Sequence, residues 1–104
     1  MQKEHCNVKV KIHLLETVPF SKKEGIRSGY NPHHKFSHWS FLLSGHHLYE
    51  DEELHFPGEI IDAYIRFSCW EDIMSQISIG DKFLIQELNE LVGEGEILEI
   101  FPLN

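Results

Sequence analysis

The sequence predicts an all-β protein, a closed or nearly closed antiparallel barrel, and three observations carry that expectation. The first is the last quarter of the chain, Gly80 to Ile100. There Phe83 and Ile85, and later Leu98 and Ile100, alternate with polar neighbours as the two strands of a hairpin do. The second lies between those pairs. Gly93 and Gly95 flank Glu94, a pattern expected where a strand bends or bulges at a barrel corner, because tilt and closure demand sharp local twist. The third is that alternating runs recur upstream, at 7–15, 36–44 and 60–68.

Taken in order, Asn7 to Leu15 is the clearest strand: Val8, Val10, Ile12 and Leu14 face one way and Lys9, Lys11 and His13 the other. From Glu16 to Lys35 no period is sustained, and Pro19, Gly25, Gly29 and Pro32 punctuate the stretch. A structureless segment this long is usually functional or mobile. Phe36 to Ser44 reads as a second strand with Trp39, Phe41 and Leu43 on one face, then Gly45-His46-His47 as a turn and Leu48-Tyr49 as a short strand. Glu50 to Glu53 is too acidic to be buried, and Phe56-Pro57-Gly58-Glu59 has the residues of a tight turn. Ile60 to Ser68 is a strand with Ile61, Ala63, Ile65 and Phe67 inward. Trp70 to Ile79 fits either a helical turn or a loop clamped by Ile73, Met74 and Ile77, and Ile79-Gly80-Asp81 is a turn. One core is expected from Val8, Val10, Ile12, Leu14, Ile65, Phe67, Phe83, Ile85 and Ile100.

A length of 104 residues bounds the chain to a single domain, 1–104, with a modest core. No apolar run approaches the roughly 18 residues of a membrane span, and the start lacks the apolar stretch of a secretory signal, so a cytoplasmic protein with no membrane contact is expected. Cys6 and Cys69 have no C-x-x-C spacing. A reduced pair is expected, with Cys69 as a small core residue. The net charge of −8 is unevenly spread. Residues 1–36 carry seven bases against three acids, and the remainder carries two bases against fourteen acids. Such segregation can give oppositely charged faces that steer a partner.

No stretch specifies catalysis. Neither cysteine sits in a nucleophile motif, there is no G-x-x-x-x-G-K-[ST] loop, and the acids of Glu50 to Glu53 read as a solvated loop, so no enzyme and no cofactor are expected. The eight histidines invite a metal, with His33, His34 and His38 near one another and His46-His47 on the next segment. Adjacent histidines on a strand face opposite ways, so each pair supplies at most one ligand, and no metal site is expected. Nucleic acid recognition wants bases interleaved with aromatics. Lys22, Lys23, Arg27, Tyr30, His33, His34 and Lys35, followed by Phe36, have that character and form the candidate binding face.

In order and spacing, four segments resemble the C-terminal (third) domain of bacterial translation elongation factor Tu. They are Gly25-Ile26-Arg27-Ser28-Gly29-Tyr30-Asn31-Pro32, Phe56-Pro57-Gly58-Glu59, Gly80-x-x-Phe83-x-Ile85-x-Glu87 and Val92-Gly93-x-Gly95-x-Ile97. The resemblance runs from about Val8 to Ile100. It implies a free-standing, six-stranded antiparallel barrel without catalytic residues, contacting tRNA or a translation factor; GTP binding is not implied, since the GTPase domain is absent. The family's Gly-Tyr-Arg-Pro-Gln-Phe turn reads Gly29-Tyr30-Asn31-Pro32-His33-His34 here, and its Glu-Gly-Gly-Arg loop reads Glu87-Leu88-Asn89-Glu90. Both changes remove bases, which weakens phosphate contact. The runner-up expectation is an acidic module docking on a basic protein, as an inhibitor or immunity-type protein would.

Overall fold

β1 (Val8–Leu14) takes the extended form that its alternation dictates, burying Val8, Val10, Ile12 and Leu14 and turning Lys11 and His13 outward. The computed structural model describes residues 3–102, and β1 is the staple of its architecture. Five further strands follow: β2 (His33–Phe36), β3 (Leu43–Tyr49), β4 (Ile60–Phe67), β5 (Lys82–Glu87) and β6 (Glu90–Ile100). All pair antiparallel in the order β1-β4-β3-β2-β5-β6, and β6 returns to β1, so the sheet is a closed six-stranded barrel. Closure leaves no long unpaired edge, which is how a small all-β chain avoids sticking to copies of itself.

The interior is filled from every strand, with Ile12, Phe36, Ile65, Ile85 and Ile97 fully enclosed. Of the residues expected in the core, only Ile100 is incompletely buried; it packs on the core from the end of β6, opposite Val8. Two wall residues are polar and wholly buried, His34 and His47.

The stretch 36–44 is not one strand. β2 stops at Phe36, whose carbonyl accepts from the Trp39 N–H at 3.1 Å and so closes a turn. The aromatic alternation that suggests a strand instead forms a pile, with Trp39 4.8 Å from Phe36 and Phe41 stacked on Trp39 at 4.6 Å. Gly45-His46-His47 is no turn either but the middle of β3. Gly45 faces inward, where a Cβ would come within 3.0 Å of His34, Phe67 and Ile65, so its missing side chain makes room for packing rather than for a bend. The segment expected to be structureless to Lys35 is shorter: His33 already belongs to β2.

Gly93 and Gly95 also lie inside β6, and neither has a positive φ. The hairpin turns at Leu88-Asn89, with Leu88 at φ 57. Both glycines are crowded: a Cβ on Gly93 would sit 2.8 Å from the His13 carbonyl oxygen, and one on Gly95 would enter the Phe83 ring. The strand bends beside them, where the register with β5 skips Val92 and the register with β1 skips Leu98. Between β4 and β5 the ambiguous stretch is helical, a short α1 (Trp70–Ile73) running into a 3-10 turn, with Trp70, Ile73 and Ile77 buried. Cys69 precedes it at φ 54 and is exposed, not a core residue; Cys6 is buried, and no disulfide joins them.

Candidate functional site

The long connection from β1 to β2 is held down along β3. Residues 28–30 run beside that strand: the Gly29 N–H donates to the His47 carbonyl, the His47 N–H to the Tyr30 carbonyl, and the Tyr49 N–H to Ser28 Oγ, each at 2.8 Å. This backbone continues the short β2 ladder and completes the wall between β3 and β5. Gly29 permits it by taking φ 101. Earlier in the connection, Ile26 forms an isolated bridge with His55 and is buried.

One carboxylate anchors the connection to the barrel. The Tyr30 hydroxyl donates to Glu87 Oε2 at 2.5 Å, and Lys22 Nζ lies 2.7 Å from the same oxygen. Burial, and then the Glu87 carboxylate that accepts its proton, push the Tyr30 phenol well above its ordinary range. Burial alone would raise the Glu87 carboxyl, but the bonds from Lys22 and Tyr30 outweigh it and hold it low. Replacing Glu87 by alanine should therefore strand a half-buried hydroxyl and an ammonium, costing about 1–3 kcal/mol and loosening the connection. Urea unfolding and amide exchange at Gly29 and Tyr30 measure the two effects.

The seven residues of the candidate face do not form one surface. Lys22 and Tyr30 are engaged by Glu87, Lys23 and Arg27 are exposed, and Lys35 projects outward from β2. His33 is partly exposed, but its Nδ1 is buried without a partner among the described residues. His34 is a correction: β2 turns it into the barrel with no exposed surface, so it cannot touch an external partner.

Inside, His34 meets His47. The Leu43 carbonyl can only accept, so His34 Nδ1, 2.9 Å away, carries the proton. His34 Nε2 then accepts from His47 Nε2 at 2.8 Å, and His47 Nδ1 accepts from the Tyr49 hydroxyl at 2.8 Å. With both rings neutral every bond in this chain is matched, whereas two cationic rings would set N–H against N–H at the His34–His47 contact. Burial lowers the His34 pKa to about 4 and pushes His47 well below its usual value. One histidine of each adjacent pair does point inward, but they pair with one another. No three metal-ligating side chains converge among the described residues.

A concave region on the outer face was not visible in the sequence. Across the outer face of β1, β6, β5 and β2 runs a cleft of about 570 Å³, walled on one side by Trp39. Strand register sets its rows: Lys11 lies beside Glu96 and Glu96 beside Lys82; His13 lies beside Glu94, Glu94 beside Leu84, and Leu84 beside Lys35. Alternation in β1 marked Lys11 and His13 as outward, but only the pairing of strands distant in sequence brings them together with Lys35, Lys82, Leu84, Glu94 and Glu96. His13 Nδ1 is 3.7 Å from Glu94, whereas Lys11, Lys35, Lys82 and Glu96 form no ion pair among the described residues. No helix among the described residues is long and apolar enough to cross a membrane. No family model matches the chain, and no curated protein matches it.

Proposed function

We propose that the protein is a non-catalytic binding module, similar to the C-terminal domain of elongation factor Tu, that contacts tRNA through the connection between β1 and β2. One observation carries this reading. The connection is pinned to β3 and Glu87 while Lys23 and Arg27 stay exposed and outside any ion pair among the described residues, so two bases are offered on a backbone that need not be ordered on binding. Cytoplasmic residence and a link to translation belong to the same proposal.

The test is retention of tRNA at about 50 and 200 mM salt, with each phosphate contact adding roughly 0.9 to the slope of log K against log salt. The Lys23→Ala, Arg27→Ala double variant should lower that slope by about 2 and leave unfolding unchanged. No binding at the lower salt would overturn the RNA reading. The acidic-module reading would then stand, favoured by the exposed run Glu50 to Glu53 on a chain of net charge −8.

A further inference from the structure

The outer cleft holds hydrogen-bonding capacity that the fold leaves unused. Cross-strand neighbours of opposite charge normally pair, yet Glu96, flanked by Lys11 on one strand and Lys82 on the other, touches neither. Trp39 lines the wall and is almost wholly buried, its indole N–H closed off from the cleft, so the ring contributes a flat apolar surface. Exposed Ile60 and Leu84 supply apolar wall in a cavity whose size is that of a small-molecule site.

We propose that this cleft binds a nucleotide-sized phosphate ester, with Lys11, Lys35 and Lys82 on the phosphate and Glu96 accepting from a sugar hydroxyl or a base amine. The chemistry is divided accordingly. Ammonium groups act as point charges for phosphate, and a carboxylate acceptor beside them suits the hydroxyls or amino groups of the same ligand. The base lies against Trp39, Ile60 and Leu84. Size is set by electrostatics: the three lysines outnumber Glu94 and Glu96 within the cleft, while the whole chain carries −8 and repels a long polyanion. A compact ligand bearing few charges gains from the cleft without that opposition. The site is separate from the connection that carries Lys23 and Arg27.

The experiment is a titration of the intact chain with ADP, followed by ¹⁵N–¹H NMR. The Trp39 indole N–H is identified by its persistence in Trp70→Phe. The Trp39 indole resonance and the Lys82, Leu84 and Glu96 amides should move together and saturate. Lys35→Ala and Lys82→Ala should each weaken binding about tenfold. The Lys23→Ala, Arg27→Ala variant should bind ADP as the parent does, so loss of the tRNA reading leaves this one testable. The proposal is overturned if millimolar ADP moves none of these resonances, if the lysine variants bind equally well, or if inorganic phosphate binds as tightly as ADP. Response to an oligoglutamate peptide but not to ADP would also overturn it and make the cleft a protein-docking surface.

Discussion

Replacing Gly95 by valine should destabilise the barrel by about 3 kcal/mol or more, at the upper end of what overpacking a core does. The added Cβ would stand 2.6 Å from Phe83 Cε2 and 3.0 Å from Cε1. The ring cannot swing away, because Phe83 is buried against Phe36 and His34. Gly93→Val should be comparably severe for a different reason: the obstacle, 2.8 Å from the new Cβ, is the His13 carbonyl oxygen, part of the ladder that closes β6 onto β1. In a domain of this size such losses lower Tm by about 4–8 °C per kcal/mol. Thermal and urea unfolding of the two variants provide the measurement. Gly29→Ala is the contrast: nothing beyond its chain neighbours lies within 4 Å of its Cβ position, so only the positive φ resists it. Parent-like stability of Gly95→Val would refute the packing argument.

Acid should unfold the protein earlier than its carboxylates alone require. Unfolded histidines have a pKa near 6.5, whereas burial holds His34 at about 4 and pushes His47 well below its usual value. Between those values the unfolded chain binds protons that the folded chain refuses. Stability is therefore fully present above about pH 6.5 and falls as pH drops towards 4, by about 1.4 kcal/mol per pH unit from His34, with His47 adding in the same direction. Near pH 4.5 His34 alone would remove about 2.5 kcal/mol, and His47 acts in the same direction, against a total stability of about 5–15 kcal/mol for a domain. His55 acts in the opposite direction. Burial alone would lower its pKa, but Glu59 at 3.0 Å and Asp51 at 2.9 Å raise it, so its contribution is kept in acid and fades as pH rises through that raised value. Urea unfolding from pH 7.5 to 4.5 should show the steep acid limb, and a His34→Leu, His47→Leu double variant should flatten it. An equally steep limb in that variant would show that the carboxylates carry the effect.

Where residues alternate in sequence and face a single core, the fold was legible. β1, β4 and β5 follow their apolar faces, and the turns at Phe56–Glu59 and Ile79–Asp81 follow their proline and glycines. Glycine was ambiguous because two physical demands select it. Gly58 and Gly80 answer a need for positive φ, whereas Gly45, Gly93 and Gly95 answer a need for space beside His34, the His13 carbonyl and Phe83. Only the second kind depends on strands remote in sequence, so Gly45 passed for a turn, whereas the bend expected at Gly93-Glu94-Gly95 is present beside Gly93, with crowding and not positive φ selecting the glycines. The aromatic run through Trp39 and Phe41 misled similarly, since alternation describes a pile of rings as well as a pleat. Of the candidate binding residues, the loop location of Lys23 and Arg27 could be read directly. That Glu87 claims Lys22 and Tyr30, and that His34 finds His47, depends on strand register. The outer cleft was illegible for the same reason.

The pairing of the last strand with the first fixes when this protein can fold. Val8 is partnered by Ile100, and the Phe101 N–H donates to the Asn7 carbonyl, so the seam of the barrel joins the two extremes of the described chain. A ribosome releasing the chain from its N-terminus leaves β1 with one side open until β6 has emerged, and β5 waits for the same strand. Contacts this distant place the barrel among the slower folders, on a scale of milliseconds to seconds rather than microseconds. During that interval the bare sides of β1 and β5 are templates for other chains. The outward Lys9 and Lys11 on β1 and Lys82 on β5 sit on those waiting strands, where charge discourages mispairing until the seam closes.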